Sequence, residues 1–151
     1  IVALAVQSRS GSSFRFFGNA SREEELNGPA LACLEEVGLA ARAHAPAGLM
    51  SHGEKRQLEL AIALATKPGV LLPDEPPAGT GREESEQVVA TLRRLKARMT
   101  ILLIEHDMDA VFALADRVSV LVYGRMIATG SPEQVRANSE VRTAYLGEEA
   151  A

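Results

Sequence analysis

Three short constellations in the 151-residue sequence place chemically capable groups beside turn residues. The first is Asp74-Glu75, two adjacent carboxylates that follow the apolar run Leu71-Leu72 after Pro73. If that run is a strand, its carboxyl end is where open α/β sheets bind ligands, although acidic residues there also simply solvate a loop. The second is Ser51-His52-Gly53-Glu54, in which Ser51 suits the N-cap of the helix formers that run on to Lys67. A helix start at Ser51 turns backbone N–H groups and the positive end of the helix dipole outward. With Gly53 permitting close approach, such a turn can hold an anion. Plain helix capping also accounts for Ser51. The third constellation is Glu105-His106-Asp107, after a second apolar run at 100–104. There His106 is either a ligand contact or a satisfied loop histidine. His44 and His52 lack comparable neighbours, and His44 is read as solvent-facing.

The elements that must position these groups follow from periodicity. Residues 70–72 and 100–104 are too short for helices and lack polar alternation, which predicts strands buried on both faces of a parallel sheet. Between them Val88, Leu92, Leu95 and Met99 mark one face of a helix whose other side carries Arg93, Arg94 and Lys96. Strand, helix, strand is a βαβ unit with a right-handed crossover. Upstream, Leu31, Leu34 and Val37 recur at three-residue spacing, predicting a helix over 29–39 that stops near Gly38. The helix after Ser51 has Leu58, Ala61, Ile62 and Ala65 on one face, widened by Leu60, Ala63 and Leu64, and is expected to be largely buried. Residues 7–27, rich in Ser, Arg, Gly and Asn, read as a loop anchored by Phe14, Phe16 and Phe17. Downstream, Met108, Val111, Phe112 and Ala115 mark another amphipathic helix. Val118, Val120 and Val122 alternate before Tyr123-Gly124-Arg125, which predicts a β-hairpin continuing through 126–129. Two short helices are expected to follow, one after Ser131-Pro132 and one at 140–146.

Composition narrows the class. With 46% hydrophobic and 24% charged residues, the chain is an ordinary globular protein of about one domain. Sixteen Lys and Arg against twenty Asp and Glu, with no basic block, disfavour a nucleic-acid partner. The single cysteine, Cys33, excludes an internal disulfide or a zinc framework and reads as a small core hydrophobe. The apolar residues 1–6 fall far short of the ~20 needed to span a bilayer, and no basic segment precedes them as in a signal peptide. A start without Met, inside an apolar run, points to a fragment of a longer chain.

Taken together, the three constellations at these separations resemble the ATP-binding subunits of ABC transporters. Ser51-His52-Gly53-Glu54 resembles the family signature Ser-Gly-Gly-Gln, Asp74-Glu75 the Walker B pair, and His106 the switch histidine. The resemblance extends through Ala115-Asp116-Arg117-Val118, Tyr123-Gly124-Arg125 and Gly130-Ser131-Pro132, and is nearest the branched-chain amino-acid uptake branch. It implies a partial P-loop NTPase fold of the α/β class: a parallel-sheet remnant with a helical subdomain and a C-terminal β-hairpin. As one domain over 1–151, the chain would divide into a mainly helical part, 1–67, and a part with Walker B, switch histidine and C-terminal segment, 68–151. The resemblance also implies ATP and Mg²⁺ as cofactors. Asp74 would hold Mg²⁺ through water, Glu75 would polarise the attacking water, and His106 would touch the γ-phosphate in the same chain. Ser51, His52, Gly53 and Glu54 would face the γ-phosphate of ATP held by a second ATP-binding subunit, identical or different. Transmembrane permease subunits would hold the assembly at the inner face of the plasma membrane, on its cytoplasmic side.

The sequence also departs from the family. It contains no G-x-x-x-x-G-K-[ST] loop (Walker A), glutamine loop or adenine-stacking aromatic, so the chain alone is expected to be inactive. Gly48 and Gly53 mimic the loop's glycine spacing, but Glu54 stands where its Lys belongs and Lys55 comes one place late. Pro73 removes a ladder donor from a central strand. Pro77 stands where the family most often has Thr, and Ala78-Gly79-Thr80-Gly81 lacks the usual Asp. Two functional classes follow: part of an ATPase that drives solute transport, or a non-catalytic interaction module without nucleotide turnover. An unrelated signalling or scaffolding domain would need the three-motif spacing to be coincidence.

Overall fold

The computed structural model describes residues 1–10, 24–76 and 81–146. It forms two compact units, Ile1–Ile104 and Glu105–Ala151. Phe14, Phe16, Phe17 and residues 77–80, Pro77 among them, lie outside the described residues.

The first unit contains α1 (Val2–Ser10), α2 (Glu24–Glu36), α3 (His52–Ala65), β1 (Val70–Leu71), α4 (Arg82–Lys96) and β2 (Thr100–Ile101). Helices α1, α2 and α3 pack on one another. The expected loop over 7–27 is helical at both ends: α1 runs to Ser10, and α2 begins at Glu24, ahead of the predicted start at 29. Two physical terms favour that early start. Glu24 and Glu25 complement the helix dipole in the first turn, and Leu26 is buried. Helix α2 ends in a Schellman motif at Gly38, whose φ is +80°. The Gly38 N–H donates to the Glu35 carbonyl, and the Leu39 N–H donates to that of Leu34 at 2.7 Å. Leu34 and Leu39 are both buried there. Cys33 is half-buried, and that burial pushes its thiol up despite the pull of Arg98 and Lys67. Helix α4 buries Val88, Leu92 and Leu95, the face its periodicity predicts.

Strands β1 and β2 pair in parallel, Val70 with Thr100 and Leu71 with Ile101. The pairing continues past them as an isolated bridge between Asp74 and Ile104. The expected burial on both faces is not found. Val70, Leu72, Leu102 and Ile104 are exposed, together with Thr100 and Asp74, whereas Leu71 is buried. Alternation along the paired strands explains the split, because these six exposed residues share one face of the ladder.

Pro73 interrupts this ladder at one point. Leu102 N–H donates to Leu71 O, Ile104 N–H to Pro73 O, and Glu75 N–H to Ile104 O, at 2.9, 3.0 and 2.9 Å. By the spacing of a parallel ladder, the N–H of residue 73 would meet the Leu102 carbonyl, and proline has none to give. The strand therefore passes through Pro73 with a single missing rung.

The second unit contains α5 (Met108–Leu114), β3 (Val118–Val122), β4 (Arg125–Gly130), α6 (Pro132–Ala137) and α7 (Ser139–Val141), which runs into a wider helical turn, Arg142–Leu146. Strands β3 and β4 are antiparallel. Tyr123 and Gly124, with φ of +49° and +76°, form the two-residue turn between them. Val118, Val120, Val135 and Val141 form the core, flanked by Val111, Phe112, Ala115, Ile127 and Ala128. The Arg136 guanidinium lies 4.3 Å over the Phe112 ring, and the Tyr145 hydroxyl donates to the Leu121 carbonyl at 2.8 Å. Among the described residues, no helix is long and apolar enough to cross a membrane.

The missing rung generates a test. In Pro73→Val, the new amide at 73 is expected to be protected from hydrogen exchange to the level of Leu102 and Ile104. Exchange at the rate of an unstructured amide would contradict the ladder described for residues 71–75.

Candidate functional site

Ser51 starts α3 as its N-cap, with φ −62° and ψ 169°, and forms a reciprocal capping box with Glu54. The Glu54 N–H donates to Ser51 Oγ at 3.1 Å, and the Ser51 N–H donates to Glu54 Oε2 at 2.8 Å. Arg42 Nε pairs with Glu54 Oε1 at 2.9 Å. The Glu54 carboxylate is thereby committed to the cap and to Arg42. The amides of His52 and Gly53 have no acceptor among the described residues. The His52 side chain is exposed, and Gly53 is buried.

The reason Gly53 is buried lies on α4. Ser51 Oγ donates to Glu84 Oε1 at 3.1 Å, and a Cβ built on Gly53 would come within 2.7 Å of either Glu84 carboxylate oxygen. Glu84 also accepts from the Gly81 N–H at 3.3 Å, which caps its own helix. Three features therefore converge on one turn: a hydroxyl, two backbone amides without protein acceptors, and a glycine that leaves room for an oxygen-bearing group.

Asp74 and Glu75 stand together at the end of β1. Asp74 is exposed on the uncovered face and Glu75 is half-buried. Glu75 has φ of +44°, a left-handed conformation that costs a non-glycine residue roughly 1–3 kcal/mol and persists only where the surroundings enforce it. The bond from its N–H to Ile104 O is one such restraint. The reversal separates Glu75 from the regular alternation of the strand, so the two carboxylates face different surroundings.

His106 belongs to the second unit, and its side chain is 69% exposed. Its neighbour Glu105 has a side chain only 2% exposed, with Oε2 at 3.6 Å from His106 Nδ1. That oxygen accepts from the N–H groups of His106 and Asp107 at 2.9 and 3.1 Å. Asp107 in turn caps α5 by accepting from Asp109 and Ala110. The loop carrying His106 is therefore wound around a buried carboxylate. No group of three or more His, Cys, Asp or Glu side chains suited to hold a metal ion occurs among the described residues.

Sequence pattern gives Glu84 and Arg42 no role, and places Glu105 in the third constellation without showing that it holds the loop. The pattern Ser51-x-x-Glu54 is itself a capping-box signal and could have shown that Glu54 turns back on its own helix start. Nothing local marks Glu84, whose contact with Ser51 spans 33 residues.

Comparison with known proteins bears on the family and the fold. The family described as ABC transporter matches residues 4–78, and that described as branched-chain amino acid ATP-binding cassette transporter matches residues 125–151. The chain is 42% identical over 117 residues to the high-affinity branched-chain amino acid transport ATP-binding protein BraF of Pseudomonas aeruginosa, covering 76% of this chain and 46% of BraF. It is 41% identical over 117 residues to the corresponding protein LivG of Escherichia coli K12, with the same coverage of each chain. The chain thus spans about half the length of the curated relatives it matches. Among solved structures, the ADP conformation of MJ1267, an ATP-binding cassette of an ABC transporter, superposes with a TM-score of 0.77 at 28% identity, covering 97% of this chain and 62% of that one.

The buried carboxylate of the His106 loop is open to direct test. Glu105→Ala removes the acceptor of two backbone N–H groups and is expected to cost about 1 kcal/mol in urea unfolding. Glu105→Gln, which keeps one oxygen, is expected to cost less. Wild-type stability in Glu105→Ala would show that the two bonds do not hold the loop.

Proposed function

The chain belongs to the ABC transporter ATP-binding domain family, and from that premise we propose that it supplies the signature, Walker B and switch-histidine portion of an ATP-hydrolysing subunit for solute uptake. The observation that carries the proposal is the presence, within one unit, of a helix start at Ser51 with two amides that have no acceptor among the described residues and of two carboxylates at the end of a parallel strand. The relatives' names and the family match at 125–151 support branched-chain amino acids as the solute. The partners are a second ATP-binding subunit and permease subunits that span the membrane.

In this reading the turn at Ser51, His52, Gly53 and Glu54 faces the γ-phosphate of ATP held by the other subunit. The Ser51 hydroxyl and the amides of His52 and Gly53 donate to phosphate oxygens, and the helix dipole adds favourable charge. Glu54 serves by fixing the cap. The donor chemistry fits the implied cofactors: Asp74 is a hard oxygen ligand open to solvent, suited to hold Mg²⁺ through water, and the missing Cβ at Gly53 lets an oxygen-bearing anion, here the Glu84 carboxylate, sit against the turn. When bound, Mg²⁺ neutralises charge on the phosphates. Glu75 orients the attacking water and draws its proton, and its half-buried left-handed position favours a fixed carboxylate over a mobile one. His106 contacts the γ-phosphate as a hydrogen-bond donor from a loop held by Glu105.

Fusion to a segment carrying a G-x-x-x-x-G-K-[ST] loop tests the proposal. The fused protein is expected to dimerise with Mg-ATP in sizing chromatography and to release phosphate. Glu75→Gln should keep ATP binding and lower turnover by about 10²-fold or more, the scale of a lost general base. Ser51→Arg should abolish the ATP-driven dimer. Unchanged turnover in Glu75→Gln removes Glu75 from catalysis, and an intact dimer in Ser51→Arg removes the signature role.

A further inference from the structure

The Glu84 carboxylate occupies the open turn at the start of α3. It accepts from Ser51 Oγ at 3.1 Å, and a Cβ on Gly53 would lie 2.7 Å from both of its oxygens. Among the described residues no Lys or Arg pairs with Glu84, in contrast to Glu54, which is paired with Arg42. An anionic group held at a helix N-terminus by a hydroxyl, beside two backbone amides without acceptors, stands where an incoming anion would stand. Two anions cannot share that turn, because both draw on the Ser51 hydroxyl and repel each other at short range.

We propose that Glu84 is an internal occupant of the anion site at Ser51–Gly53 and that phosphate binds there only as the Glu84 carboxylate withdraws. This rests on the reading of Ser51–Glu54 as a phosphate-facing turn and adds a residue that sets its affinity. The contact joins the start of α3 to the start of α4, two helices of one unit. Withdrawal requires only a rotation of the Glu84 side chain. The Gly81 N–H, its second donor, can then be taken by water because Gly81 is exposed. In the occupied state the carboxylate supplies the negative charge that the α3 N-terminus favours, so the turn is stable without a ligand.

The test titrates inorganic phosphate, at constant ionic strength, into the 151-residue chain while the amide resonances of Gly53 and Glu54 are followed by NMR. Glu84→Gln keeps the side-chain shape and an oxygen acceptor for Ser51 but removes the charge. It is expected to bind phosphate at this turn at least about fivefold more tightly than the wild type. Glu83→Gln removes a neighbouring charge from the same helical turn and is expected to leave the affinity unchanged. Equal affinity in wild type and Glu84→Gln overturns the proposal while leaving the phosphate-facing turn in place. Equal tightening by Glu83→Gln also overturns it, since net charge would then suffice. Absence of any response at Gly53 and Glu54 in all three proteins removes the phosphate-facing reading and this inference with it.

Discussion

The parallel register between residues 70–74 and 100–104 is the constraint on which the carboxylate site depends. Side chains alternate along a strand, so a slip of one residue would carry Asp74 to the face where Leu71 is buried and bring Leu71 to solvent. Burial of Leu71 and the three ladder bonds at 2.9–3.0 Å oppose that slip. The last of those bonds, from Glu75 to Ile104, also helps keep Glu75 in its left-handed conformation. Pro73 removes one rung without disturbing the register, because bonds on either side of it remain. A proline that looks disabling in the sequence is thus a local loss of one hydrogen bond, worth roughly 0.5–1.5 kcal/mol.

The start of α3 obeys a different logic. A helix N-terminus has orphan donors that must find acceptors; here Ser51 and Glu54 satisfy each other's amides, and Glu84 accepts from the Ser51 hydroxyl. Glu54 and Arg42 neutralise each other and stiffen the turn, whereas Glu84 reaches in from a separate helix. Structural capping and ligand binding therefore draw on the same few groups. Sequence alone leaves them as alternatives for Ser51, but the geometry allows both: the cap uses the Glu54 amide and leaves those of His52 and Gly53 to an outside acceptor.

Elements whose stabilisation is local were legible in the sequence. The buried face of α4, the Schellman stop at Gly38 and the Tyr123-Gly124 turn each follow from side-chain period or from the backbone freedom of glycine. The family itself was legible from the spacing of three motifs. What the sequence did not reveal depends on distant partners. The exposed face of Val70, Leu72, Leu102 and Ile104 depends on what covers the ladder, which an apolar run cannot state. Glu84 reads locally as one more acid in a helix start, and its contact with Ser51 exists only once α3 and α4 are side by side. Glu105 resembles a solvated loop acid until the fold buries it under its own following amides.

The central claim is that the turn at 51–54 faces a nucleotide held by another subunit. Its most direct measurement loads an intact family subunit with an ATP analogue photoreactive at the γ-phosphate, adds excess of this chain, and maps the label by mass spectrometry. The account predicts label on the peptide containing Ser51–Glu54 of this chain, lost on competition with unmodified ATP. Label that avoids this peptide, or that ATP does not displace, would contradict it.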